Sequence, residues 1–269
     1  MTIIASLTKP RCLVGIVLAS LGVIFVGLSP ALAADSEARE ITVTRLTDSL
    51  YQLSTDQGSY TTNSLASVGP DGVLLVDTQA KEYAGELKGV VDGFGQGAPR
   101  FIINTHRHVE HVGGNAVFGA GPIVVAHDLV RTKLRSGSYL FNEFPDATLP
   151  DITLNETLTI HFNGEDIELT ALAGGHDDNE IIVHFTDSKI VHLSSLVNGF
   201  NFPSVDSDGD VFAFAGLVRR AMGVLPQDVI IVSGHNQNGS WKDLQPYVDM
   251  LDQTTRIVRD GLEAGRTVE

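Results

Sequence analysis

The residues best suited to metal chemistry lie together in one short segment of the chain. His106, His108, Glu110 and His111 fall within six consecutive positions, directly after an apolar run. Because side chains two positions apart in an extended segment point to the same side, His106 and His108 can converge on one ion. Glu110 and His111 follow in a turn, where they can face a second ion. Imidazole nitrogen and carboxylate oxygen both bind zinc, so this spacing predicts a metal site rather than a polar loop in which histidines cluster by chance.

The first 33 residues have the layout of a secretory signal peptide. Lys9 and Arg11 precede a largely apolar run over residues 13–28, and small residues occupy the first and third places of Ala31-Leu32-Ala33. This layout predicts that residues 1–33 are a signal peptide cleaved after Ala33, leaving a periplasmic or secreted protein with no stable membrane anchor. The alternative is a retained anchor, since the apolar run is close to the roughly 17 residues that span a bilayer.

Composition narrows both the class of protein and the metal chemistry. The chain has 269 residues, 43% of them hydrophobic, and a formal net charge of -15. A chain of this size can form one well-filled domain or two small ones, and its acidity argues against nucleic acid as a partner. Cleavage would remove Lys9, Arg11 and Cys12, so the mature domain, 34–269, would carry a charge of -17 and no cysteine. Any metal must then be held by imidazole, carboxylate and water.

Short β-rich runs and helix-like runs must position the histidine cluster. A tight turn at residues 69–72 joins two antiparallel strands, a helix follows at about 81–91, and the strand Phe101–Asn104 leads into the cluster. Further helices are predicted from about Asp128, at Val211–Met222 and at Tyr247–Leu262. The predicted strands are Ile41–Leu46, Leu50–Ser54, Thr61–Val68, Val73–Val76, Phe101–Asn104, Ile123–Ala126, Leu154–Phe162, Ile167–Leu172, Ile181–Phe185, Ile190–His192 and Val229–Val232. Two strand-rich halves, each with helices, indicate two sheets packed face to face with helices outside.

Four motifs together resemble those of the metallo-β-lactamase superfamily, over roughly residues 46–258. The histidine cluster is similar to the superfamily's His-x-His-x-Asp-His signature, and residues 73–78 are similar to its first strand, which ends in Asp. Ala173-Gly174-Gly175-His176 resembles the segment of its next metal-binding histidine, and Val232-Ser233-Gly234-His235 that of its last. These motifs are specific for the superfamily and only weakly specific for a substrate.

The resemblance implies an α/β fold, an αβ/βα four-layer sandwich of two mixed β-sheets face to face with helices outside. It also implies a pair of Zn2+ ions in a cleft at one edge of the sheets. By position, the first zinc would be held by His106, His108 and His176, and the second by Glu110, His111 and His235. Asp77 would not bind the metal itself, but its carboxylate would orient residues 106–111, the ligand loop. The alternative for Asp77 is an ordinary strand-end residue that caps the next turn.

The sequence departs from the superfamily pattern at two positions. Glu110 stands where the signature usually has Asp, and its extra methylene moves the carboxylate outward, so we expect an altered rather than an abolished second site. Ser195 stands where many members have a bridging Asp, and a neutral hydroxyl is a poor zinc ligand. The resulting ligand set is similar to that of the third subclass of metallo-β-lactamases, which also has Ser there. The Gly234-His235 ending looks more like that of general hydrolases, so the subclass stays open.

The activity implied by the resemblance is hydrolysis by a metal-bound hydroxide, with Glu110 as the catalytic group and no covalent enzyme intermediate. The leading expectation is an exported zinc hydrolase of a small-molecule amide, lactam or ester, with β-lactamase activity. Two alternatives stay open: a thioesterase-like or lactonase-like hydrolase of the same fold, and a non-catalytic periplasmic accessory protein with a degraded second site. No Lys or Arg closely follows Ser195, where some lactamases have a cation for the substrate carboxylate.

Other polar and aromatic segments are assigned structural roles. Residues 206–210 resemble the start of a calcium loop, but the glycine and the twelfth residue do not fit, so we expect a loop that caps a helix beginning near Val211. Four loop aromatics would either line an apolar substrate wall or pack beneath their own loops: Phe141, Phe144, Phe200 and Phe202. Four histidines without ligand-spaced partners are predicted to be surface or strand residues: His127, His161, His184 and His192.

Overall fold

Seven strands form the first sheet of the computed structural model, which describes residues 40–137, 144–172 and 174–267. They are β1 (Ile41–Arg45), β2 (Leu50–Asp56), β3 (Thr61–Gly69), β4 (Gly72–Val76), β5 (Phe101–Ile103), β6 (Ile123–His127) and β7 (Ile152–Leu154). β1 to β4 form an antiparallel meander, and β4 to β7 pair in parallel. The predicted signal peptide, residues 1–33, and Phe141 lie outside the described residues.

Six strands form the second sheet. They are β8 (Thr157–Phe162), β9 (Glu165–Ala171), β10 (Ile181–Phe185), β11 (Ile190–His192), β12 (Ile230–Val232) and β13 (Gly239–Ser240). β8 to β11 pair antiparallel in chain order, and β12 then lies parallel to β11. Both sheets are therefore mixed, as the resemblance implies.

Five α-helices accompany the sheets in the described part of the chain. They are α1 (Ala84–Gly93), α2 (Val109–Val112), α3 (Asp128–Ser136), α4 (Phe214–Val224) and α5 (Trp241–Glu263). α5 begins at a capping box: the backbone N–H of Ser240 donates to the Asp243 carboxylate, and the Ser240 side chain accepts from the backbone N–H of Asp243. None of these described helices has both the length and the apolar composition needed to cross a membrane.

The apolar residues of β4 show how the layers pack. Leu74 and Val76 belong to the core between the two sheets, whereas Val73 and Leu75 belong to the core between the first sheet and α1. Successive strand residues point to opposite faces, so a strand covered on both sides is apolar throughout. α4 and α5 pack in the same way on the outer face of the second sheet. The fold is the predicted four-layer αβ/βα sandwich.

Three local expectations differ from the structure. The predicted strand Leu154–Phe162 is two strands in different sheets, because the chain crosses between the sheets at residues 155–156, where the polar Asn155 and Glu156 break the apolar alternation. α5 begins six residues before Tyr247, since its capping box lies ahead of Pro246. α4 begins at Phe214 rather than near Val211, and no side chain caps its first turn.

Candidate metal centre

The predicted site residues meet at one edge of the two sheets, just beyond the ends of several strands. Asp77 directly follows β4, and His106 and His108 follow the neighbouring parallel strand β5. In the second sheet His235 follows β12, and His176 lies in the connection between β9 and β10. The carboxyl ends of neighbouring parallel strands lie at the same edge of a sheet, so residues far apart in sequence come together there.

His106, His108 and His176 form the first group of potential ligands. One nitrogen of each lies within 4.8 Å of the others. Nδ1 of His108 is 3.1 Å from Nε2 of His176. The His106 ring is 4.6 Å from the His108 ring and 4.2 Å from the His111 ring, between centroids, so it lies between the two groups.

Glu110, His111 and His235 form the second group, again with ligand atoms within 4.8 Å of one another. The Nε2 atoms of His111 and His235 are 3.2 Å apart. Oε1 of Glu110 is 3.9 Å from Nε2 of His235 and also 3.9 Å from Nδ1 of His108, so the carboxylate stands between the groups. Glu110 and His111 are on α2, a single helical turn, rather than in the irregular turn expected from the sequence.

Backbone carbonyls fix two of the histidines from outside the groups. Nδ1 of His176 donates to the carbonyl of Ser204 at 2.8 Å, and Nδ1 of His235 donates to the carbonyl of Thr61 at 3.1 Å. A carbonyl can only accept, so the proton of each ring is on Nδ1 and the lone pair is on Nε2, which faces the group.

Asp77 fixes two more histidines, one directly and one through a hydroxyl. Its Oδ2 accepts from Nδ1 of His111 at 2.7 Å and from the hydroxyl of Thr105 at 2.8 Å. The Thr105 oxygen, having given its hydrogen to Asp77, is an acceptor for Nδ1 of His106, 3.2 Å away. Asp77 is fully buried, and it contacts the ligand loop as the resemblance implies, rather than only capping a turn.

Asp206 fixes the remaining histidine, and the sequence did not predict this. Its Oδ2 accepts from Nε2 of His108 at 2.7 Å and lies 3.1 Å from Nη2 of Arg107. The same Arg107 nitrogen is 2.9 Å from Oδ2 of Asp208. Residues 206–208 thus contact the ligand loop instead of capping α4. The acidic spacing was visible in the sequence, but nothing in it indicated which loop these carboxylates would meet.

The electrostatics of both groups suit a bound metal ion. Burial lowers the pKa of His106 well below its usual value, and burial lowers the pKa of His111 and His235 to about 3. These rings are therefore neutral ligands at neutral pH. Nε2 of His106 is buried and has no hydrogen-bond partner among the described residues. A buried nitrogen with a free lone pair, facing two other histidines, fits a metal ion.

The backbone at the site is held in uncommon conformations. Asp77, Ser194 and Asn236 all have positive φ angles, between 52° and 62°, although none is glycine. Such residues cluster where the surrounding structure fixes a functional geometry. At Gly114 an added Cβ would lie 2.1 Å from the carbonyl oxygen of Thr78, so only glycine allows α2 to approach the end of β4 this closely.

An open cleft of about 560 Å³ lies over the two groups. His108, Glu110, His176 and His235 reach it, together with Ser195. None of the loop aromatics within the described residues lines this cleft. Phe144 and Phe200 pack against core clusters, and Phe202 lines a separate surface groove. The other four histidines take no part in either ligand group: His127, His161, His184 and His192.

Comparison with known proteins agrees with this fold. No protein-family model matches the chain. A metallo-β-lactamase type 2 of Bacteroides fragilis is 20% identical over 234 residues, which cover 84% of this chain and 88% of that protein. The solved structure of a metallo-β-lactamase from Pontibacter korlensis is 22% identical, with a TM-score of 0.69, and covers 79% of this chain and 99% of that one. The DIM-1 metallo-β-lactamase is 15% identical, with a TM-score of 0.66 and coverages of 80% and 98%.

These likenesses define the class of fold. The chain has the fold of the metallo-β-lactamases, and the resemblance drawn from its motifs is confirmed. The structure brings all six predicted ligands together in two groups of three, which can hold metal ions.

Proposed function

We propose that this protein is an exported zinc-dependent hydrolase that cleaves an amide, lactam or ester carbonyl in a small molecule. The observation that carries the proposal is the arrangement of the five histidines. In each histidine, one ring nitrogen is hydrogen-bonded to a residue outside the ligand groups. The other ring nitrogen faces the ligand group to which that histidine belongs. Three protein ligands per site leave a position open, as in catalytic rather than structural zinc sites.

The donor set favours zinc, because it contains imidazole and one carboxylate and no sulfur. His106, His108 and His176 would hold one ion, and Glu110, His111 and His235 the other. When bound, the ions would supply an acidified water and positive charge for the carbonyl oxygen. Glu110 is placed to accept a hydrogen bond from that water, since its carboxylate stands between the groups at the floor of the cleft.

Hydrolysis would proceed without a covalent enzyme intermediate. The mature chain has no cysteine. Ser195 lines the cleft, but its buried hydroxyl has no hydrogen-bond partner among the described residues, so no described side chain acts as its base. The cleft volume suits a small organic substrate.

Turnover of a substrate panel with and without chelator tests the proposal. The mature, zinc-loaded protein is assayed with a chromogenic cephalosporin, a thioester and a lactone. We expect hydrolysis of at least one, loss with chelator and recovery with added zinc. His176→Asn should abolish that activity, whereas His161→Asn, at an exposed position, should not. A folded, zinc-loaded protein that hydrolyses none of the three would instead support the accessory role.

Export is tested by the N-terminus of the protein recovered from the periplasm or the medium. We expect it to begin at Ala34. Recovery of the full-length chain in the membrane fraction would support the retained anchor.

A further inference from the structure

The wall of the cleft carries no positive side chain among the described residues. Its neutral polar part consists of hydroxyl and amide groups: Ser59, Tyr60, Ser195, Asn198, Ser204 and Asn236. Besides the histidines, its charged side chains are the carboxylates of Glu110 and Asp206. A substrate group that lies against this wall therefore meets neutral dipoles or negative charge.

Two cations lie behind the wall, and both are already engaged by carboxylates. Arg107 is 97% buried, and its Nη2 contacts Asp206 at 3.1 Å and Asp208 at 2.9 Å. Lys133 contacts Asp178 and Asp208. Because Asp177 also lies 4.0 Å from Arg107, four carboxylates surround these two cations, and the cluster as a whole has no net positive charge to offer a substrate. The whole chain, with a net charge of -15, repels anions at longer range as well.

We propose that the substrate has no carboxylate near its scissile carbonyl and is uncharged or cationic there. This inference rests on the proposed hydrolase function and specifies its substrate class. The metal ions would face the scissile carbonyl itself, whereas a second substrate group would lie against the wall. A carboxylate there would lose its hydration beside Asp206, and no Lys or Arg among the described residues lines the wall to pair with it. An ester, lactone or thioester without an acid group avoids this loss of hydration and this charge repulsion.

Matched substrate pairs that differ by one carboxylate test this directly. The first pair is a penicillin and its methyl ester, and the second is para-nitrophenyl butyrate and para-nitrophenyl hydrogen glutarate. Each kcat/KM is divided by the rate of hydrolysis in hydroxide solution, which removes differences in intrinsic reactivity. We expect the uncharged member to be preferred by about tenfold or more, the effect of placing like charges together in a partly buried site.

A single added cation should largely cancel the preference. Ser59 is exposed at the rim of the cleft, so Ser59→Lys adds a positive charge there without disturbing the core. We expect it to raise kcat/KM for the anionic member about tenfold relative to the uncharged one. Thr159→Lys is the matched control, because it adds the same charge on an exposed position of β8 that does not line the cleft.

Two results would overturn the inference. One is a wild-type protein that hydrolyses the anionic member of each pair as well as the uncharged one. The other is a Ser59→Lys variant whose preference equals that of Thr159→Lys. If nothing is hydrolysed by the zinc-loaded protein, the hydrolase function fails, and calorimetric binding of each pair still measures the charge preference. Tighter binding of the anionic members in that experiment would also overturn the inference.

Discussion

Each histidine of the two ligand groups is held by a specific outer partner, and the partners differ in kind. Two are backbone carbonyls, which no substitution can remove directly. The others are side chains, and among these Asp206 stands out because it contacts both His108 and Arg107. Such outer contacts fix ring orientation and tautomer, so we expect metal affinity at this site to depend on residues that do not touch the metal.

Asp206→Asn should weaken the first metal site. The amide can still contact His108, but it lacks the charge that favours the Nε2–H donor and pairs with Arg107. We expect metal affinity to fall by about 10- to 100-fold, with the fold intact. Competitive titration with a chromogenic chelator gives the affinity of each site. Asp210→Asn removes an equal charge from the same loop without contacting a histidine, and an equal loss of affinity there would contradict the assignment.

Glu110→Asp tests the longer carboxylate. Shortening the side chain by one methylene draws its oxygen away from His235 and His108, from each of which it now lies 3.9 Å. We expect affinity for the second ion to fall by about tenfold while the first site is unchanged, and turnover to fall with second-site occupancy. Metal stoichiometry and kcat measured on the same samples decide this. Unchanged values of both would show that the extra methylene has no chemical consequence.

At the scale of secondary structure, the position of α2 depends on how closely it approaches the loop after β4. The backbone N–H of Thr78 donates to the carbonyl of His111 at 2.8 Å, and Gly114 leaves no room for a Cβ beside Thr78. α2 carries both Glu110 and His111. The short helix is therefore placed by backbone contact rather than by its own stability, since a single turn is not stable alone.

Gly114→Ala should displace α2 and with it the second ligand group. Its methyl group would clash with the Thr78 carbonyl, and we expect a loss of about 1–3 kcal/mol in the free energy of unfolding together with weaker binding of the second ion. Chemical denaturation and metal titration measure the two effects. In contrast, a Cβ added at Gly89 in α1 has no neighbouring atom within 4 Å. Gly89→Ala should therefore raise the free energy of unfolding by about 0.5–1 kcal/mol. A neutral effect at Gly114 would show that α2 can shift freely.

At the scale of the whole molecule, each ligand group joins the two sheets. The first group combines His106 and His108, which follow β5 of the first sheet, with His176, which precedes β10 of the second. The second group combines residues of α2 with His235, which follows β12. A bound ion would thus cross-link the halves of the sandwich in addition to serving the reaction.

Removal of metal should therefore lower the thermal stability of the protein. An ion present at about 100 times its dissociation constant adds about 2.7 kcal/mol to the free energy of unfolding. For a domain of this size we expect chelation to lower Tm by at least about 5 °C, reversibly on addition of zinc. Differential scanning calorimetry measures the shift, and a variant with both His176→Asn and His235→Asn should show none. An unchanged Tm after verified removal of metal would mean that the ions do not join the sheets.

The sequence by itself predicted eleven of the thirteen described strands and the four potential ligands of the histidine cluster, and the resemblance of two further motifs implied His176 and His235. Local patterns suffice for the strands and the histidine cluster, because apolar alternation indicates a buried strand face and His-x-His spacing places both side chains on one side of the chain. The crossing of the chain between β7 and β8 was not determined locally, since the polar residues 155–156 break the alternation but do not show that the next strand joins the other sheet. The same holds for the pairing of Asp206 with His108, which are 98 positions apart in the chain.

Only the tertiary structure decided how the ligands are oriented and what charge the cleft presents. Orientation depends on the outer partners Asp77, Asp206 and two backbone carbonyls, which come from loops distant in sequence. The charge of the cleft depends on Arg107 and Lys133 being enclosed by carboxylates. A sequence reports which charges exist, but their effect on a ligand depends on distance and burial, and these are set when the loops pack.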